Sequence, residues 1–198
     1  MKITNFLILL CVSITLYAWG ANENLAFSEY ALFNGGFYTL ITGIFVHANW
    51  VHLIGNMIFL YVFGNILEDD VGAYNTALVF FTGGVLSFLL SIPFYPGASM
   101  LGASAAIFSV MAALLLVRHP GYSFQFLSPI GPLALLYFIF NIMAIKNAAG
   151  GDVAYMSHVL GFVIGLFFGA RWNKKWIESL LLTILLLAGY LILYNYIF

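Results

Sequence analysis

Residues 101–117 read LGASAAIFSVMAALLLV without a single charge, and the run ends only at Arg118. Runs of this kind recur along the chain, and a lipid-spanning helix needs roughly 17–25 mostly apolar residues. Spans are expected at about 3–19, 50–67, 73–92, 101–117, 129–145, 153–170 and 177–197. Composition agrees: 64% of the 198 residues are hydrophobic and 7% are charged, against about 25% charged in a soluble domain. So little charge cannot cover a solvated surface, and the expected class is an all-α polytopic membrane protein embedded in a lipid bilayer. Lys2, the apolar stretch after it and Ala18-Trp19-Gly20 also have the make-up of a secretory signal, but the run is long enough to stay as a first span.

Lys and Arg in short loops set orientation. With the N-terminus in the cytoplasm, Lys2, Arg118, Arg171, Lys174 and Lys175 fall inside and Lys146 falls outside. The longest connection, 20–49, is then an outer loop. Its stretch FYTLITGIFV (37–46) is apolar but too short to cross, so it is expected in the interface or dipping partway in. Residues 1–170 read as one membrane domain, and 171–198 as a basic loop with an additional helix. This simple make-up points to a prokaryotic plasma membrane. A net charge of -1 without a basic cluster argues against nucleic acid as a partner. The lone Cys11 has no partner for an intrachain disulfide.

Polar side chains inside spans are expensive and are functional candidates by default. Those singled out are His52 and Asn56 in the second span, Ser104 and Ser109 in the fourth, Asn141 in the fifth and His158 in the sixth. His47 lies just outside the second span, and His119 precedes Pro120 as a turn residue. Helical rise places Ser104 roughly 21 Å above Arg118 and His158 roughly 20 Å above Arg171. It places His52 and Asn56 roughly 24 and 18 Å above Glu68. Three helices thus carry their polar groups in one layer. His52 and Asn56, four apart, share a helix face. Gly161 and Gly165 lie on the face of His158 as a small-residue strip, and Gly102, Ala105 and Ala106 flank Ser104, so two helices can approach closely.

A serine is a weak nucleophile that needs an adjacent base, and a histidine at its height supplies one. The competing reading of Ser104 alone is packing or back-bonding to its own helix. A zinc site of His47, His52 and His158 is disfavoured: no H-E-x-x-H is present, and residues five apart point roughly 140° apart on a helix. Neither a metal nor a cofactor is expected. Ser109 and Asn141 read as helix–helix hydrogen bonds.

These residues resemble the rhomboid family of intramembrane serine proteases. FVHANWVHLIGNMIFLYVFGNILEDDVG (45–72) is similar to the family's H-x-x-x-x-H-L-x-x-N helix with its following Gly and Glu. GAS (102–104) is similar to its G-x-S-G nucleophile site, and AYMSHVLGFVIG (154–165) to its A-H-x-x-G-x-x-x-G helix. With the long first outer loop, the resemblance covers residues 1 to about 170. It implies a six-helix core, to which the seventh span is an addition seen in part of the family. It also implies a Ser104–His158 dyad, and an oxyanion hole of the Ser104 N–H with His52 and Asn56. A dyad also suits the layer argument, since Asp152 sits near the outer end of its helix, away from the level of His158. The chain departs from the family pattern at Ala105 (usually Gly), Phe108 (often Tyr), Ser157 (Ala), Leu160 (Gly) and Phe37-Tyr38 (Trp-Arg).

The resemblance implies an endopeptidase acting on transmembrane protein substrates near their outer ends. A rhomboid-like protein that binds transmembrane clients without cutting is the alternative, marked by loss of Ser or His. A small transporter would need a polar path through both leaflets, which the inner halves of these spans do not offer. No sequence feature sets an oligomeric state.

Overall fold

The computed structural model describes residues 1–21, 24–118 and 155–197. The described chain is mostly helical. Helix α1 (Ile3–Ala21) is followed by a two-residue strand β1 (Phe27–Ser28), α2 (Glu29–Phe33), α3 (Thr39–Phe45) and α4 (Trp50–Phe59). A π-helical turn (Leu60–Gly64) joins α4 to α5 (Asn65–Ser91); β2 (Ser99–Met100), α6 (Ser104–Val117), α7 (Tyr155–Trp172) and α8 (Trp176–Ile197) complete it. Among the described residues, two stretches, Ile3–Ala21 and Trp50–Phe94, are long and apolar enough to cross a membrane. The second is broken where the sequence separates two spans: Gly72 sits at φ 83° and ψ 165°, a region open essentially only to glycine. The expected span 129–145, with Asn141, His119 and Lys146, lies outside the described residues.

One end of the bundle is tied by charge. The Glu68 carboxylate accepts from the Ile3 N–H (2.8 Å), the Thr4 N–H (2.9 Å) and Thr4 Oγ1 (2.7 Å). It satisfies amide groups that a helix N-terminus otherwise leaves open. Lys2 pairs with Asp69 at 2.7 Å and Arg118 with Asp70 at 2.9 Å. Asn173 Nδ2, in the link between α7 and α8, donates to the Leu116 carbonyl at 2.6 Å. Lys2, Arg118 and the basic α7–α8 link therefore share one end, the grouping that the basic-residue count makes.

At the other end, the segment 24–49 is built into the bundle rather than merely resting in the interface. Phe27, Ile44 and Phe45 are buried, and Phe27 stacks on Phe88 of α5 with centroids 5.4 Å apart. Gly43 and Gly84 leave room for these side chains: a Cβ on Gly84 would stand 2.6 Å from Ile44 Cδ1. Within the 37–46 stretch, Phe37, Tyr38 and Ile41 stay exposed. Phe27 pairs with Met100 and Ser28 with Ser99, antiparallel.

Helix α6 is the axis of the fold, buried without interruption from Ala105 to Leu116. A helix apolar all round is expected to be buried on every side, and this one is. It is shorter than the expected 101–117, because Gly102 at φ 109° cannot be helical. Ser104 therefore opens the helix instead of sitting inside it. Helix α7 lies directly on α6: a Cβ on Gly161 or Gly165 would overlap the carbonyl oxygen of Ala105 or Ser109, and one on Gly169 would come within 2.8 Å of the Ala113 oxygen. Helix α8 turns the buried Ser179 and Thr183 inward, and Leu180 packs on a small core of Phe108, Ala112, Leu115 and Phe162.

Candidate active site

The approach to Ser104 is held by hydrogen bonds from its amides to residues of the 24–49 segment. The Gly102 N–H donates to the Gly43 carbonyl at 2.8 Å. Gly102 must be glycine on two counts: its φ is positive, and a Cβ would stand 2.6 Å from His52 Cε1. The Ala103 N–H donates to His47 Nε2 at 3.4 Å. With Nε2 accepting, the ring proton of His47 sits on Nδ1, 3.2 Å from the Phe45 carbonyl and 3.1 Å from Thr15 Oγ1. Burial, helped by His52, holds the His47 pKa down to about 3 against the opposing hydrogen bond to Phe45. This neutral, doubly bonded ring braces the turn from which Ser104 emerges.

As the first residue of α6, Ser104 has an N–H with no carbonyl of its own helix to bond to, and it lies at the positive end of the helix dipole. Its Oγ is 2.7 Å from His158 Nε2. Phe108, one turn further along α6, stacks on the imidazole with centroids 4.8 Å apart and planes 16° from parallel. Tyr155 meets the same ring edge-on at 6.3 Å. The close approach that lets α6 and α7 share this pair is the Gly161–Ala105 contact, three residues beyond the histidine.

Beside Ser104 is a cavity of about 130 Å³. Val51, Gly55, Phe59, Ile107 and Phe108 form its apolar wall, and His52 and Asn56 form its polar side. Asn49 caps α4, its Oδ1 accepting from the His52 N–H at 2.9 Å. The Ala48 N–H points at His52 Nδ1 from 3.4 Å, which leaves the ring proton on Nε2. Asn56 is buried, and its Nδ2 has no hydrogen-bond partner among the described residues. A buried amide donor without an acceptor is costly, which makes Asn56 a candidate donor to a group bound beside the serine.

The structure thus brings together Ser104, His158, His52, Asn56, Gly102, Ala105, Phe108 and Gly161, while Gly165 packs against Ser109, one turn further along the α6–α7 contact. Ser109 Oγ donates to the Gly161 carbonyl at 2.6 Å, a helix–helix bond as read from the sequence. One expectation is corrected. His47 and His52 do not point apart; their rings lie 5.0 Å from each other, because His47 precedes the Asn49 cap and helical angles do not apply to it. Both His47 nitrogens are occupied by the hydrogen bonds just described. Thr15, Gly43 and the β1–β2 pair, which hold the serine turn, carry no local pattern that would single them out.

The rhomboid domain family matches residues 34–175. The chain belongs to the rhomboid family, and with it to the integral membrane proteins. It is 30% identical over 143 residues to Rhomboid-like protein 11, chloroplastic, of Arabidopsis thaliana, covering 65% of this chain and 50% of that one. It is 29% identical over 188 residues to Rhomboid protease GluP of Bacillus subtilis (strain 168), covering 89% of this chain and 34% of the relative. Inactive rhomboid protein 2 of Homo sapiens is 29% identical over 139 residues, covering 66% of this chain and 15% of the human protein. The chain spans half or less of the length of each of these three relatives. A plant organellar protein stands beside a bacterial one, so membership places the chain in a membrane without choosing the prokaryotic plasma membrane over an organelle.

Proposed function

We propose that this chain is an intramembrane serine endopeptidase that hydrolyses peptide bonds in or near transmembrane segments of other membrane proteins. The observation that carries this is the 2.7 Å pair of Ser104 Oγ and His158 Nε2, set beside a cavity with an unspent Asn56 amide. As Oγ attacks the scissile carbonyl carbon, His158 Nε2 takes the hydroxyl proton. The developing oxyanion is received by Asn56 Nδ2, His52 Nε2–H and the Ser104 N–H, donors fixed before the reaction begins. Collapse breaks the C–N bond as the imidazolium protonates the leaving amine, giving an ester on Ser104. Water then attacks the ester with His158 again as base, releasing the carboxylate and restoring the hydroxyl.

A helical substrate hides its carbonyls in its own hydrogen bonds, and lipid offers no replacement. Small or helix-weakening residues near the cut therefore favour cleavage. The six-helix core over 1–170 with a seventh helix in 171–198, the cytoplasmic N-terminus and a site opening toward the outer face belong to the same proposal. Their support is the apolar runs and the shared end of Lys2, Arg118 and the α7–α8 link.

The test is active-site labelling of the purified protein with a fluorophosphonate, read at Ser104 by mass spectrometry, alongside cleavage of a transmembrane test substrate. Wild type is expected to label and cleave, and Ser104→Ala and His158→Ala to do neither while remaining folded. Failure of the folded wild type to label or cleave would instead support a member that binds clients without cutting; one relative is inactive by name.

A further inference from the structure

His158 is flanked by two hydrogen bonds that reach α7 from elsewhere in the fold. Two residues before it, the Met156 N–H donates to Tyr95 Oη at 2.8 Å. Three residues after it, the Gly161 carbonyl accepts from Ser109 Oγ at 2.6 Å. Neither Tyr95 nor Ser109 lines the cavity beside Ser104.

Both donors of constraint are themselves fixed. Tyr95 follows the 3-10 turn Ile92–Phe94; its N–H bonds back to the Ser91 carbonyl at 3.2 Å, and its carbonyl accepts from the Ala98 N–H at 3.1 Å. The next residue after Ala98 opens β2, which is paired to β1. Ser109 is fully buried, and Gly83 of α5 lies so close that a Cβ there would overlap the hydroxyl. The alternative acceptor within α6, the Ala105 carbonyl, is 3.4 Å away, so the single hydroxyl proton goes to Gly161.

The steric match between α6 and α7 cannot set their register alone. Gly161, Gly165 and Gly169 face Ala105, Ser109 and Ala113, each row spaced by four residues. A slide of four residues, about 6 Å, sets small residues against small residues again. Directional hydrogen bonds remove that ambiguity. We propose that Tyr95 and Ser109 are positioning residues that set the height and rotation of α7 so that His158 Nε2 meets Ser104 Oγ. The inference rests on the Ser104–His158 dyad proposed above.

Tyr95→Phe and Ser109→Ala each remove only a hydroxyl. The purified full chain and these variants, single and combined, are compared for melting temperature, fluorophosphonate labelling rate at Ser104, and kcat and KM on a transmembrane test substrate. A misplacement of about 1 Å can cost on the order of 100-fold in rate, so the double variant is expected to lose at least roughly tenfold in both labelling rate and kcat per folded protein. KM stays nearly unchanged, and deuterium uptake over residues 155–161 rises. A lower melting temperature with labelling and kcat per folded protein within about twofold of wild type would overturn the proposal. If Ser109→Ala fails to fold, Tyr95→Phe decides by the same criteria. If wild type itself does not label, the dyad falls and this inference falls with it; if wild type labels and the variants label equally fast, this inference alone falls.

Discussion

Phe108 and His158 lie face to face, ring centroids 4.8 Å apart, with Phe108 one helical turn from Ser104 on the same helix. The proposed nucleophile and the ring that orients its base therefore move together. A stacked pair contributes about 0.5–1.5 kcal/mol beyond area burial. Phe108→Leu, which keeps the apolar bulk, is expected to lower kcat roughly two- to tenfold by loosening the imidazole. Steady-state kinetics on a transmembrane substrate checks this, and an unchanged kcat would remove the ring from the catalytic account.

Asn56 and His52 are expected to act on the transition state rather than on folding. Loss of one oxyanion donor costs about 10²–10³ in kcat. Because Asn56 Nδ2 is buried and unpartnered among the described residues, Asn56→Ala should leave the melting temperature unchanged or raise it. His52→Ala should likewise lower kcat with little change in KM. A tether between helices would behave in the opposite way, with lower stability and normal kcat.

Glycines at the α6–α7 contact and before the serine are expected to tolerate no side chain. Gly161→Ala forces a methyl group into the Ala105 carbonyl and pushes His158 away from Ser104. Gly102→Ala adds left-handed backbone strain of about 1–3 kcal/mol to overlap with the His52 ring. Both variants should lose Ser104 labelling, and Gly102→Ala should also melt at lower temperature. Wild-type labelling rates in either would contradict the packing described.

His47 links stability to pH. The unfolded chain takes up a proton near pH 6.5, whereas the folded chain resists it down to about 3. The unfolded state therefore binds more protons in that window, so this contribution is complete above pH 6.5 and is lost as pH falls toward 3. His52, 5.0 Å away, faces the same ring. Thermal melts at pH 7.5 and 4.5 should show a smaller acid-induced drop in His47→Gln than in wild type. An equal drop would assign the acid sensitivity to other groups.

The proposed orientation rests on the distribution of basic residues. A cysteine placed at Lys146 should react with an impermeant maleimide added outside intact cells, and one at Lys174 should react only after permeabilisation. The reverse pattern would turn the proposed site toward the cytoplasm.

The membrane class, the spacing of apolar runs and the common level of Ser104, His158, His52 and Asn56 are legible in the sequence, because helical rise and period are local properties. The glycine strip on α7 is legible for the same reason. Local rules fail where a helix ends: His47 stands before the Asn49 cap, so its ring folds back beside His52 instead of following a helical angle. The tertiary structure alone decides how residues 24–49 pack, that Gly43 and His47 accept from the amides preceding Ser104, that Tyr95 reaches Met156, and that the Asn56 amide is left unpartnered among the described residues. Each depends on groups far apart in the chain meeting at one point. In a water-poor interior every backbone N–H and carbonyl seeks a partner, and which partner it finds is a property of the assembled bundle that no window of sequence contains.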